Sequence, residues 1–240
     1  MDTLFISDLH LDNRRPQVIN YFTDYLKNLK SDISALYILG DFVEYWVGDD
    51  DPAIGLNELF EQIKNESKKY DIYFMHGNRD FMMSENFCHR LGMKLLPDPS
   101  VISLNGKDIL LTHGDTLCTD DHEYQNFRRL VRSKLWQDEV LKKPLEQRIK
   151  LAKDLRKQSL RETESKKEII MDVNNLAVEK TFLKYNVNTM IHGHTHRPNI
   201  HIHEIEKQKV MRYVLGDWYD KFFVLSLKNK RFSVCKGKLK

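Results

Sequence analysis

Three histidines alternate in His192-Gly193-His194-Thr195-His196, directly after the apolar run 188–191. Neutral imidazole is a common ligand for divalent metals, so the cluster reads as part of a metal site. Alternation on a strand throws side chains to one side, and Gly193 lets the backbone leave the strand sharply. The three rings are therefore expected to face one way. Four earlier segments share the layout. Run 3–6 leads into Ser7-Asp8-Leu9-His10, and run 35–39 into Gly40-Asp41. Run 72–75 leads into His76-Gly77-Asn78-Arg79-Asp80, and run 109–112 into His113-Gly114-Asp115. Each run has the length of a buried strand, and each stops at Asp, His or Asn. Ligands of open α/β sheets sit outside the carboxyl ends of strands, so five such ends predict one shared crevice.

Asp, Asn and His without cysteine make an oxygen/nitrogen site that suits Mn, Fe or Zn as catalytic ions, not a structural zinc or a thiolate cluster. The ligand count suffices for two ions. A carboxylate bridging ions about 3.5–4 Å apart is the arrangement of two-metal phosphoryl chemistry, in which a shared water loses its proton near neutral pH and becomes the nucleophile. Burying so many polar groups without such a partner would be costly, so fold stability alone does not explain them.

The chain must supply elements that hold these groups. At 240 residues, 41% hydrophobic and 30% charged, it reads as one soluble globular domain, 1–240, with room for an insertion. No apolar run approaches the length of a membrane-spanning helix. A strand beginning by residue 3 leaves no basic leader region, so secretion is not expected. Cys88, Cys118 and Cys235 are far apart and read as reduced cytosolic thiols. Cys118, near His113, is expected to pack beside the site and not to ligate. Stretches 18–29 and 56–63 carry the periodicity of crossover helices.

Net charge is only +3, but residues 128–167 hold fourteen Lys/Arg against six Asp/Glu, leaving −5 for the rest. Phe127, Val131 and Leu135, then Leu141, Leu145, Ile149 and Leu155, fall at helical spacing, and Pro144 suits the first turn of a second helix. These features predict a helical insertion over 122–167, a lid with one basic and one apolar face.

The five motifs resemble, in order, the D-x-H, G-D, G-N-H-[DE], H-G and G-H-x-H pattern of the calcineurin-like metallophosphoesterases, from Asp8 to His196. The resemblance implies an α/β fold: a β-sandwich flanked by helices, with the helical lid inserted. It implies that Asp8, His10, Asp41 and His196 hold one ion, that Asp41 bridges, and that Asn78, His113 and His194 complete the second. His192 is expected to support the site, and His76 and His122 to be surface or packing residues. Asp41, Asn78, Arg79 and His113 form the expected catalytic group.

Arg79 departs from the family, which mostly has His there. Guanidinium stays charged and cannot readily protonate an alkoxide, but it binds phosphoryl oxygens in a bidentate way. The departure favours diphosphate cleavage, whose leaving group is already a stable anion.

Longer strings resemble the branch of this family that hydrolyses UDP-2,3-diacylglucosamine in lipid A synthesis. They are SDLHL at 7–11, GDFVEYWVGDD at 40–50, GNRDF at 77–81, HGDTLCTDDHEY at 113–124, IMDVN at 170–174 and HGHTHRP at 192–198. That resemblance implies two Mn²⁺ ions per chain and attack of a dimetal-bound hydroxide on the α-phosphorus, giving UMP and 2,3-diacylglucosamine 1-phosphate (lipid X). It places substrate contacts on Asn78, Arg79, Asp121, Tyr124, Arg156, Ser159, Thr163, Lys166 and His194, with Thr163 standing where relatives often carry Asn. Tyr45 and Trp46 are expected in the core. The basic lid face would favour an anionic inner leaflet by about 1 kcal/mol per cation. With no spanning segment, the expectation is peripheral attachment to the cytoplasmic face of a bacterial inner membrane. Neither nucleic acid nor an obligate protein partner is expected.

The alternative is another dimetal phosphodiesterase or nuclease with a soluble substrate, the basic segment tracking a phosphate backbone. Apolar residues interleaved with that charge favour lipid. A silent scaffold on the same fold is disfavoured because every ligand position is filled.

Overall fold

The computed structural model describes residues 1–30, 32–165 and 172–239. In chain order the elements are β1 (Asp2–Ile6), α1 (Pro16–Lys27), β2 (Ile33–Leu39), α2 (Asn57–Glu66), β3 (Asp71–Met75), α3 (Glu85–Arg90), β4 (Met93–Leu96), β5 (Ser100–Leu104) and β6 (Lys107–Leu111). There follow α4 (His122–Val131), α5 (Lys134–Leu141), α6 (Leu145–Ser165), α7 (Asn175–Tyr185), β7 (Thr189–His192), β8 (Asn199–Ile205), β9 (Gln208–Val214), β10 (Lys221–Lys228) and β11 (Arg231–Lys238).

The strands form two sheets, in the orders β11-β10-β1-β2-β3-β4 and β5-β6-β7-β9-β8. Strands β1 to β4 run parallel, as do β6, β7 and β9, so the motif-bearing ends of each set point the same way. Both faces of the central strands are covered, which is why they read as unbroken apolar runs. In β1, Phe5 packs beside its neighbour Tyr37 and faces Leu111 and Ile191 of the opposing sheet, while Leu4 and Ile6 face α1 and α2. Phe5, Tyr37 and Tyr73 stack across adjacent strands at centroid distances of 5.2 and 4.6 Å. Helix α7 covers the outer face of the second sheet, with Val178 and Phe182 against Leu110 and Met190. The layers run helix, sheet, sheet, helix, as the sequence implied.

Helix α1 starts with Pro16, whose missing N–H costs nothing at a first turn. Side chains cap four others: Ser84 on α3, Asp121 on α4, Ser133 on α5 and Asn174 on α7 each accept a backbone N–H. Ser133 marks a difference from the expected helix pair. Periodicity over Phe127, Val131 and Leu135 suggested one continuous helix, but this cap starts a new one, so the 122–165 segment holds three. Leu135 is consequently turned out, 76% exposed.

Candidate dimetal centre

Each motif lies where it was expected, just beyond the carboxyl end of β1, β2, β3, β6 or β7. At Asp8, His10, Asp41, His194 and His196 the backbone takes the left-handed conformation, with φ between 47° and 70°. That is costly for residues with a Cβ, and such strain concentrates at functional sites. The glycines between them follow from crowding. A Cβ on Gly77 would strike the Asp41 carboxylate, and one on Gly193 would strike the Asp8 carboxylate and the Ser7 hydroxyl.

The ligating atoms of Asp8, His10 and His196 all lie within 4.8 Å of one another, as do those of Asp8, Asp41 and His113. Asp41 spans the two groups, with Oδ2 3.7 Å from His10 Nε2 and Oδ1 3.7 Å from His113 Nε2. Asn78 Oδ1 sits 3.0 Å from His113 Nε2 and 2.9 Å from His194 Nδ1. All seven sequence-predicted ligands thus meet in one place.

The donor set fits divalent cations. His113 Nδ1 donates to the Leu39 carbonyl at 2.9 Å, so the neutral ring keeps its lone pair at Nε2, aimed into the cluster. Asn78 turns its oxygen toward two imidazole nitrogens and its amide nitrogen toward Arg79 Nε. Hydrogen bonding alone would reverse that amide; a cation between the oxygen and the imidazoles suits it as it stands. The electrostatics agree. Burial opposes charge on His113, yet Asp41, Asp115 and Asp8 outweigh it and hold its pKa up at about 9. Burial likewise opposes charge on His196, but Asp217 and Asp8 raise it to about 10. His194 is pushed down to about 4 by burial and by His113. A field this negative, in a site where Asp8 and His113 are fully buried, favours divalent cations in place of those protons.

Four carboxylates around the ligands escaped the sequence reading. Asp80 accepts the N–H of Gly77 at 2.8 Å and of Phe42 at 2.7 Å, clamping two ligand loops together. Glu44 Oε2 lies 3.2 Å from His10 Nδ1. Asp115 accepts from Tyr124 Oη and Arg128 Nε, each at 2.7 Å. Asp217 Oδ2 lies 3.1 Å from His196 Nδ1. The first three follow a ligand by two or three residues within motifs already noted. Asp217 had its own signal, because Tyr213-Val214-Leu215-Gly216-Asp217 repeats the strand-then-Gly-Asp layout a sixth time.

His192 corrects the first expectation. Its ring is fully buried and points away from the cluster, with Nδ1 donating to the Gly193 carbonyl and Nε2 accepting from Arg212 Nη1 at 3.0 Å. Strand β7 ends at His192, and the left-handed turns beyond it reset the alternation, so only His194 and His196 face the ligands. His76 is a packing residue, its Nε2 2.7 Å from the Met83 carbonyl, and His122 is exposed on α4. Cys118 is buried at the cavity wall, outside both ligand groups.

A cavity of about 740 Å³ opens over the ligands beneath α4, α5 and α6. Of the residues the resemblance assigned to substrate contact, Asn78, Arg79, Asp121, Tyr124, Arg156, Ser159 and His194 line it. Lys166 and the side chain of Thr163 lie outside the described residues. Trp46 is buried against Phe87, while Tyr45 is half-buried at the cavity wall. The predicted basic face is partly turned inward. Arg128 reaches Asp115, Arg132 the Gly77 carbonyl, Arg148 the Val47 carbonyl and Asp50, and Arg156 Glu44. Three of the ligand loops are thereby tied to the segment above them.

Fold and ligand set together define a calcineurin-like phosphoesterase: residues 1–198 match that family's model, and the chain belongs to the family. More particularly, it is 44% identical over 221 residues to a protein of Aromatoleum aromaticum named UDP-2,3-diacylglucosamine hydrolase, covering 92% of this chain and 90% of that one. A Serratia proteamaculans protein of the same name is 45% identical over 220 residues, covering 91% and 92%. The solved structure of an archaeal phosphodiesterase shares the fold at 13% identity, with a TM-score of 0.51 over 98% of this chain and 99% of that one.

Proposed function

We propose that this chain cleaves the pyrophosphate bond of UDP-2,3-diacylglucosamine at the α-phosphorus, releasing UMP and 2,3-diacylglucosamine 1-phosphate for lipid A synthesis. The observation that carries the reading is the two-sided cavity. At one end it presents Asp41, Asn78 and Arg79; farther along, the wall is Val140, Leu151 and Leu155. A molecule that fills it carries phosphoryl groups at one end and hydrocarbon at the other. The names of the two relatives support the same substrate.

Asp8, His10, Asp41 and His196 would hold one ion, with Asp41 shared, and Asn78, His113 and His194 the other. Two Mn²⁺ ions held there would supply the activated water and the positive charge that phosphoryl attack requires. The protein's own groups do the rest. Arg79 is oriented by its backbone N–H, which donates to Asp41 Oδ1 at 2.9 Å, and its guanidinium faces the cavity beside the ligands. It neutralises charge on the phosphoryl oxygens as the bond to the leaving phosphate lengthens. The leaving group departs as an anion, so no residue need protonate it. Tyr124, Asp121 and Ser159 line the path of the sugar, and α4 to α6 act as the lid that shields it from water.

Membrane attachment is part of the proposal. No described helix is long and apolar enough to span a bilayer. Leu130 and Leu135, 56% and 76% exposed, stand on the lid among basic residues, a composition suited to the anionic cytoplasmic surface of an inner membrane.

The test is UMP release from UDP-2,3-diacylglucosamine by metal-stripped protein, with and without Mn²⁺. Mn²⁺-dependent release is expected. Hydrolysis of a generic phosphodiester without UMP release would keep the centre and discard the lipid substrate.

A further inference from the structure

Glu44 lies at the only point where a lid side chain and a ligand imidazole meet the same carboxylate among the described residues. One oxygen, Oε1, accepts from Arg156 Nε of α6 at 2.7 Å. The other, Oε2, lies 3.2 Å from His10 Nδ1. The carboxylate is 11% exposed at its side chain, and its position is fixed locally: Glu44 N donates to the Leu11 carbonyl, while His10 N donates to the Asp41 carbonyl. Leu11 and Val43 pair as an isolated bridge, so the loop bearing His10 and the loop bearing Glu44 are laced together. His10 itself is walled in, its ring stacked on Tyr219 at 5.4 Å, which in turn lies under Arg15. Glu44 Oε2 is the carboxylate oxygen within reach of Nδ1, but with Arg156 on the other oxygen the buried Nδ1 makes no aligned hydrogen bond.

We propose that Glu44 is a positioning residue that couples the hold on the first ion to the state of the lid. This rests on the dimetal reading of the site. A carboxylate facing Nδ1 keeps the proton on that nitrogen, leaves the lone pair at Nε2 and makes the imidazole a stronger donor to a cation. The strength of that effect depends on how much of the carboxylate's charge is already engaged by Arg156. Glu44 engages the Arg156 guanidinium as a phosphoryl group would. When substrate phosphate recruits the guanidinium, Glu44 is released toward His10 and the ion is held more tightly. Reciprocity then requires the ion to favour phosphate capture by the same factor.

The test is Mn²⁺ affinity, measured by chelator competition on the full chain without substrate. Glu44→Ala should weaken binding of one ion by about 10–100-fold. Glu44→Gln, which keeps a neutral acceptor, should weaken it less. Arg156→Gln should tighten binding by a few-fold, because the carboxylate is then undivided, and that gain should vanish in the Glu44→Gln background. Arg148→Gln, which cuts the lid's contact with Val47 and Asp50 but not that with Glu44, should leave affinity unchanged and controls for simple loosening of the lid; circular dichroism checks that each variant folds. Wild-type protein that binds Mn²⁺ while Arg156→Gln has the same effect with or without Glu44 would overturn the coupling alone. Failure of wild type to bind Mn²⁺ would overturn the dimetal reading and the coupling with it.

Discussion

His10 Nε2 and His196 Nε2 stand 3.2 Å apart, brought together from loops 186 residues distant in the chain. Two ring nitrogens at that distance must share a proton or a common cation, and Asp8 Oδ1, 3.4 Å from His196 Nε2, completes a three-sided pocket for the latter. Replacing either ring should therefore cost an ion as well as activity. For His196→Gln we expect at least about a 100-fold loss of turnover, with one equivalent less Mn²⁺ by elemental analysis. Full metal content would show that the pair serves another purpose.

Arg79 contributes charge, and the cluster stands without it. Arg79→Ala should lower kcat by about 10²–10³-fold while both ions stay bound. Loss of metal in this variant would mean that its contact with Asp41, Nε to Oδ2 at 3.9 Å, is structural.

Acid should destabilise the metal-free protein in part through His76. Burial pushes this imidazole down to about 4 from an unfolded value near 6.5. The native ring therefore stays neutral while the unfolded one takes up a proton. The stability is present above about pH 6.5 and is lost as pH falls from there toward 4, by up to about 1.4 kcal/mol per pH unit. Urea unfolding of wild type and His76→Gln across pH 4.5–7.5 should show the variant losing less, and parallel curves would contradict this account.

Much of the ligand layout was legible in the sequence because strand ends carry local signals: an apolar run, a glycine, a ligand. The helix-flanked sandwich followed only from the resemblance of those motifs to a known family. What escaped was tertiary. Whether Arg128 or Arg148 faces solvent or a carboxylate depends on loops far away in sequence, so counting charge gave a basic face where several arginines point inward. The ring of His192 could not be oriented without knowing that β7 stops there. Asp217 was readable, yet its strand end lay beyond the last expected motif.

Trp218 shows what supports the centre from behind. It is fully buried, donates from Nε1 to the Phe223 carbonyl at 3.1 Å, packs edge-on against Phe22, and its own N–H reaches the Asp8 carbonyl. Trp218→Ala should cost about 3–5 kcal/mol in urea unfolding.

Leu130 and Leu135 test the membrane part of the proposal. Replacing these apolar side chains with carboxylates, as in Leu130→Glu with Leu135→Glu, should reduce flotation with phosphatidylglycerol vesicles and leave turnover of detergent-dispersed substrate near the wild-type value. Unchanged flotation would remove these residues from any membrane contact.

The left-handed backbone at Asp8, His10, Asp41, His194 and His196 has a consequence for how this protein tolerates change. At each position glycine is the residue the chain geometry prefers, by about 1 kcal/mol. Each of the five side chains is therefore held against a local preference for glycine, and the fold bears that cost where their ligating atoms meet.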